Sequence, residues 1–380
     1  MKKLVSLALV LSLLLSFGAS ALADDAAIWN LPNKADKLHT EALQTLKLTD
    51  TTKVAQVTGE DSPNKTLTRF GVWGVDLGSM TELDGRVYMF GGDTFGSPDH
   101  TEWRSNTLYI IDDDDPSDGL TITETIPQNK VFGKMHYAKE LIPSVKIDNV
   151  QMTTIPTDIF AIGDTLYTIY MSVKHWGDHG EWYCTYSSLA KSTDKGKTWK
   201  LLNDVKWPGD SNFIQAAHFQ QGDTMYIWGI PSGRFGGVAL MKVNISEIEN
   251  YEAYEYFVGT DTEGTPQWVK GSEGVYQAKV IIDPCVAEIS VIYNEYLGNF
   301  VMTYLGSNGK GIVMREGVTP WGEWSQEYVL CVPKDYPSLY GAYMLPKYVE
   351  NKGQVFYFNM SQFDPIYNIM WMRTELPEIK

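Results

Sequence analysis

The sequence predicts an all-β protein: a five-bladed β-propeller of four-stranded blades, preceded by a signal peptide and a short N-terminal helical segment. Three observations lead there. Aromatic residues make up 13% of the chain and Gly occurs 33 times, while apolar spacing of helical period is rare. A turn followed by an apolar-aromatic strand recurs five times, as "LDGRVYMFGG" (83–92), "IGDTLYTIYM" (162–171), "QGDTMYIWGI" (221–230), "YLGNFVMTYL" (296–305) and "NKGQVFYFNM" (351–360). Each copy has a short strand before it, and a loop and a third strand after it.

Residues 1–23 read as a secretory signal. Lys2 and Lys3 precede an apolar run, and Ala21-Leu22-Ala23 offers small residues for cleavage after Ala23. No later stretch approaches the ~20 apolar residues of a spanning helix. The expectation is a bacterial exported protein with no membrane span after cleavage. Residues 24–60 form an N-terminal extension, in which "ADKLHTEALQTLKL" (35–48) has helical spacing and 50–60 can supply a strand that closes the ring.

Residues 61–380 form the propeller. The strands before the five repeats are "GVDLGSMTE", "PTDIFAI", "IQAAHF", "AEISVIY" and "GAYMLPKYV"; those after are "SNTLYIID", "SSLAKST", "GGVALMKV", "GIVMREG" and "YNIMWMR". Fourth strands such as "TWKLLND" and "EWSQEYVL" complete the units. A two-sheet sandwich does not explain the repeated strand–turn–strand–loop–strand order. In a blade, the loops before the first strand and between the second and third lie on one face. The turn "KSTDKGKTW" (191–199) joins a third strand to a fourth, so its Ser192, Asp194, Gly196 and Trp199 belong to the opposite face and to structure.

Charge narrows the partners. The chain has 47 acidic and 31 basic residues, which argues against nucleic acid and anionic membrane surfaces and suits a neutral polymer. Cys184, Cys285 and Cys331 have no metal spacing and leave room for at most one disulfide. His175 and His179 are too few for a metal site, and no cofactor motif occurs, so neither metal nor cofactor is expected. A monomer is expected.

Two carboxylates stand out in the first unit. Asp76 starts its first strand and Asp93 ends its second, so a hairpin brings both to one face beside the axis. Paired carboxyls in a cleft suit glycoside hydrolysis, with Asp76 as base or nucleophile and Asp93 as acid. Ordinary turn chemistry is the alternative for each alone. Asp158 and Glu288 enter first strands of later units as candidates for a third carboxylate. Gln215, His218 and Tyr340 lie on such strands; Thr94, Trp103, Arg104, Asn106, His175, Trp176, Arg234 and Asp364 lie on or beside loops of the same face. All are candidate sugar contacts, since sugars present both CH faces and hydroxyls.

At "GVDLGS", "GGDTFG", "WRSNTL", "PTDIFAI", "YSSLAKSTDKGKTW", "FGGVALMKV" and "YGAYMLPKYV" the chain resembles a former domain-of-unknown-function family of secreted propellers that includes endo-D-arabinanases. The likeness spans roughly residues 68–376. It implies a five-bladed propeller that cleaves within an arabinofuranose polymer, with the essential carboxylates falling on Asp76 and Asp93. More distantly the chain is similar to five-bladed arabinanases and xylosidases, which use a base, an acid and a third carboxylate that tunes the pKa; Asp158 or Glu288 is its counterpart here. A non-catalytic glycan-binding propeller is the competing reading. A sialidase ranks third, because one turn of the Asp type and few inner arginines do not match its pattern.

Overall fold

The computed structural model describes residues 41–48, 51–128, 136–306 and 309–379; the expected signal peptide lies outside them. The chain enters through β1 (Thr52–Gln56) and the short helix α1 (Thr66–Phe70), which Gly71 ends in the left-handed conformation at φ 65°. Then come β2 (Gly74–Leu83), β3 (Arg86–Phe95), β4 (Thr107–Ile111) and β5 (Ile122–Thr125), paired antiparallel in chain order. The next four, β6 (Thr153–Ile162), β7 (Thr165–Trp176), β8 (Trp182–Ser192) and β9 (Lys200–Pro208), repeat the pattern.

A third unit holds β10 (Gln215–Gln221), β11 (Thr224–Ile230) and β12 (Gly236–Asn244), extended by β13 (Glu255–Thr260) and β14 (Pro266–Lys270). A fourth holds β15 (Val280–Asn294), β16 (Asn299–Gly306), β17 (Gly311–Gly317) and β18 (Tyr328–Cys331). The third and fourth share one sheet, because β12 also pairs with the long start of β15. The last unit is β19 (Leu339–Glu350), β20 (Val355–Gln362) and β21 (Asn368–Glu375), completed by β1, whose Thr52 and Gln56 face Arg373 and Met370. The strand expected near 50–60 therefore exists, and it pairs with the last strand of the fifth unit.

First strands pack in a closed circuit: β2 on β6, β6 on β10, β10 on β15, β15 on β19, and β19 on β2. The fold is all-β and propeller-like. Its core is divided among the seams between units. Phe90, Leu108 and Tyr170 fill the first seam, Trp207, Met225 and Met241 the second, and Trp228, Phe300 and Val313 the third. Met314, Phe358 and Met370 fill the fourth, and Met89, Tyr357 and Trp371 the last. Alternation along each strand supplies one face to each neighbouring seam.

The helix expected over 35–48 is not formed in its described part. Residues 35–40 lie outside the described residues, and 41–48 run without helix or strand. Their amides are bonded elsewhere: Glu41 N donates to Gly298 O at 3.2 Å, Gln44 N to Glu316 Oε2 at 3.0 Å, and Leu46 N to the Tyr328 hydroxyl at 3.4 Å. Burying Leu46 against the fourth and fifth units outweighs a helix too short to be stable alone. All three cysteines are free: Cys184 and Cys331 are buried in separate clusters, and Cys285 is partly exposed.

The "KSTDKGKTW" turn forms as expected. Asp194 Oδ1 accepts from Ser192 Oγ at 2.7 Å and Thr198 N at 2.9 Å, and Trp199 Nε1 donates to Gly196 O at 3.0 Å. Trp199 lies 5.2 Å from the Phe90 ring, sealing the foot of the first seam.

Candidate functional site

Gly91 and Gly92 set the two aspartates close. A Cβ on Gly91 would stand 2.4 Å from Val75 Cγ2, and one on Gly92 2.4 Å from Asp76 Oδ1. Only glycine lets β3 pass this near the start of β2. The register slips on both sides of Leu77, which holds φ 63° and is followed by Gly78 at φ 89°. These irregularities turn Asp76 toward the axis. The β6, β15 and β19 pairings slip at Pro156–Asp158, Ala287–Ser290 and Tyr340–Tyr343, and Glu288 sits at φ 45°. Such backbone is held only where its surroundings enforce it.

Asp76 and Asp93 open into one cavity of about 970 Å³ at the start of the first strands. Asp76 Oδ2 accepts from the Tyr340 hydroxyl at 2.8 Å, and its Oδ1 is buried without a partner. Asp93 Oδ1 accepts twice, from Trp103 Nε1 at 2.7 Å and Thr153 Oγ1 at 2.5 Å. Burial pushes Asp76 up to about 6, against the lowering by the nearby Tyr340 and Tyr367 hydroxyls; the Glu288 charge adds to the rise. Burial pushes Asp93 up to about 7, opposed first by Thr153 and reinforced by the Asp76 charge.

Glu288 lines the same cavity, and its Oε1 accepts from Arg234 Nε at 2.8 Å. Asp158 does not line it. It lies with His218 in a second cavity of about 410 Å³ that shares only Tyr343 with the first, and Asp158 Oδ2 is 2.7 Å from His218 Nδ1. Between the two acids considered as a third carboxylate, Glu288 is thus the one beside Asp76. His218 is displaced from the cavity for the same reason: the β6 bulge and the regular β10 pairing point both side chains down the axis.

Trp176, Gln215, Arg234 and Tyr340 line the cavity. Gln215 Nε2 donates to Pro231 O at 3.1 Å and Gly233 O at 3.0 Å, bracing the loop that carries Arg234. Thr94, Arg104 and Asn106 must be corrected as sugar contacts. Thr94 is fully buried and bonds Gly92 O at 2.8 Å. Arg104 donates to Gly71 O at 2.7 Å and Ala138 O at 3.0 Å; Asn106 donates to Ile142 O at 2.7 Å and Thr154 O at 2.8 Å. All three turn their side chains into the protein and bond backbone carbonyls there. His175 stands outside the cavity lining, 2.7 Å from Asp148, and Asp364 is exposed beyond it.

Sequence reasoning missed Thr153, Trp182, Phe235 and Tyr367. Thr153 and Trp182 begin strands at the cavity face, a position that marks them; Phe235 and Tyr367 come from loops whose course no spacing reveals. Among the described residues no three His, Cys, Asp or Glu side chains gather as metal ligands, and no helix is long and apolar enough to cross a membrane.

No curated protein matches the chain. Among solved structures it is similar to a Bacteroides ovatus protein provisionally described as a hydrolase, at 11% identity and TM-score 0.57, covering 90% of this chain and 97% of that one. It is also similar to an exo-beta-1,3-galactanase from Phanerochaete chrysosporium, at 9% identity and TM-score 0.50, covering 87% of this chain and 67% of that one. At such identities the likeness is one of fold. The model of a domain of unknown function, DUF4185, matches residues 61–373, nearly the whole described chain, and the chain belongs to that family.

Proposed function

We propose that this chain is an exported glycoside hydrolase, a five-bladed propeller with one blade per unit, that cleaves within a furanoside polysaccharide of the D-arabinan type. One observation carries the reading: two buried carboxyls from neighbouring strands share a cavity and differ in how their oxygens are engaged. Both hydrogen bonds to Asp93 fall on Oδ1, which leaves the proton to Oδ2, directed at the glycosidic oxygen as general acid. Asp76 keeps an unpartnered Oδ1 while the Tyr340 hydroxyl fixes Oδ2, so Oδ1 is the atom that attacks the sugar or takes a proton from water. With the leaving-group oxygen protonated, the bond to the anomeric carbon breaks without expelling an alkoxide.

The glycoside-cleaving galactanase of like fold supports the class of reaction by analogy, and the acidic chain suits a neutral polymer. A sialidase fits poorly, since the lining Arg234 is tied to Glu288. The test is reducing-end release from D-arabinan and related polymers by the mature protein. Asp76→Asn and Asp93→Asn should each lower kcat/KM by about 10²- to 10⁴-fold with unchanged circular dichroism. A well-folded wild type that binds such polymers and releases no reducing ends is instead a glycan-binding module.

A further inference from the structure

Asp76 Oδ1 is not the only orphan in this cavity. Glu288 Oε2 and Trp182 Nε1 are also buried without partners, on side chains of residues only 4% and 7% exposed. Native proteins seldom leave such atoms unpaired, so each demands a reason. Arg234 links the two residues. Its guanidinium holds Glu288 Oε1, through Nη2 as through Nε at 2.8 Å, and stands 5.7 Å from the Trp182 ring. The Arg234 amide donates to Gly180 O at 3.0 Å, just ahead of Trp182. The carboxylate is therefore oriented, with one oxygen engaged and the other available.

The chemistry of the two orphans selects their ligand. An indole N–H only donates, and a carboxylate oxygen only accepts. An anionic group would satisfy Trp182 and be repelled by Glu288; an ammonium would satisfy Glu288 alone. A hydroxyl does both. We propose that Trp182 and Glu288 form a hydroxyl-recognition subsite, set by Arg234, that takes one sugar ring of a neutral glycan through one hydroxyl or two adjacent ones. This rests on reading the cavity as a sugar site, and it gives Glu288 a binding task beside its electrostatic effect on Asp76.

The experiment is calorimetric titration of neutral arabino-, xylo- and galacto-oligosaccharides into the Asp93→Asn protein, whose slowed turnover leaves them intact during the titration. Adding Trp182→Phe, which keeps the ring and loses the N–H, should weaken the tightest binder about tenfold. Glu288→Gln should weaken it about fivefold and serves if Trp182→Phe folds poorly. One mono-deoxy form of that oligosaccharide should bind Trp182 and Phe forms alike. Unchanged affinity in both variants overturns the subsite, as does tighter binding of an anionic oligosaccharide. If wild type also hydrolyses the polymer, only the subsite falls; if it binds through this pair and cuts nothing, only the hydrolase reading falls. Absence of any neutral binder ends both.

Discussion

At the scale of the residue, the difference between Asp76 and Asp93 is a difference in hydrogen-bond supply within one desolvated space. In the hydrolase proposed above, the productive form has Asp76 ionised and Asp93 protonated. The first condition holds above about pH 6 and the second below about pH 7, so kcat/KM should peak between them and fall about tenfold per pH unit outside. The two limbs belong to the interacting pair. Stability carries the same signature. A carboxyl raised above its usual value of about 3.9 stabilises the fold while protonated. That contribution is complete below about pH 4 and is lost as pH climbs through about 7 for Asp93. Asp93→Asn should therefore raise Tm relative to wild type at pH 8 and not at pH 4, by differential scanning fluorimetry. The aspartates were legible in the sequence because hairpin geometry alone places them together. Thr94, Arg104 and Asn106 were not, because the backbone of Arg104 bridges back to Thr94 with two 2.8 Å bonds and turns the following residues into a seam. Residue type does not record that turn.

At the scale of the element, the first strands are specialised by their irregularities. Four of the five depart from regular register at the depth of the cavity, and β10 alone stays regular. On the neighbouring β3, Gly92 stands directly against the Asp76 carboxylate. Gly92→Ala should cost about tenfold or more in kcat/KM with little loss of fold, because the methyl must displace the Asp76 carboxylate. The Asp194 turn gives the contrast. β8 begins at Trp182 in the cavity wall and ends at Ser192, so the turn is about 30 Å away. Asp194→Ala should lower stability by about 1 kcal/mol and leave kcat/KM unchanged, measured by urea unfolding and kinetics. Strand order was legible because the turn–strand repeat is periodic. The β13–β14 hairpin and the β12–β15 pairing were not, being additions to one unit, and in the described part of the helix expected over 35–48 the backbone bonds instead to residues some 260 positions away.

At the scale of the whole molecule, the circuit of first strands closes where β19 packs on β2, and β1 completes the outer edge of that last unit against β21. A protein starting after Gln56 should lose the outer strand of the last unit and expose the edge of β21. It should unfold at lower urea than one starting at Asp24 and aggregate on warming, by light scattering. The same joint orders events in time. β1 can pair only once β21 has been made, so the fifth unit gains its outer strand after its other three strands.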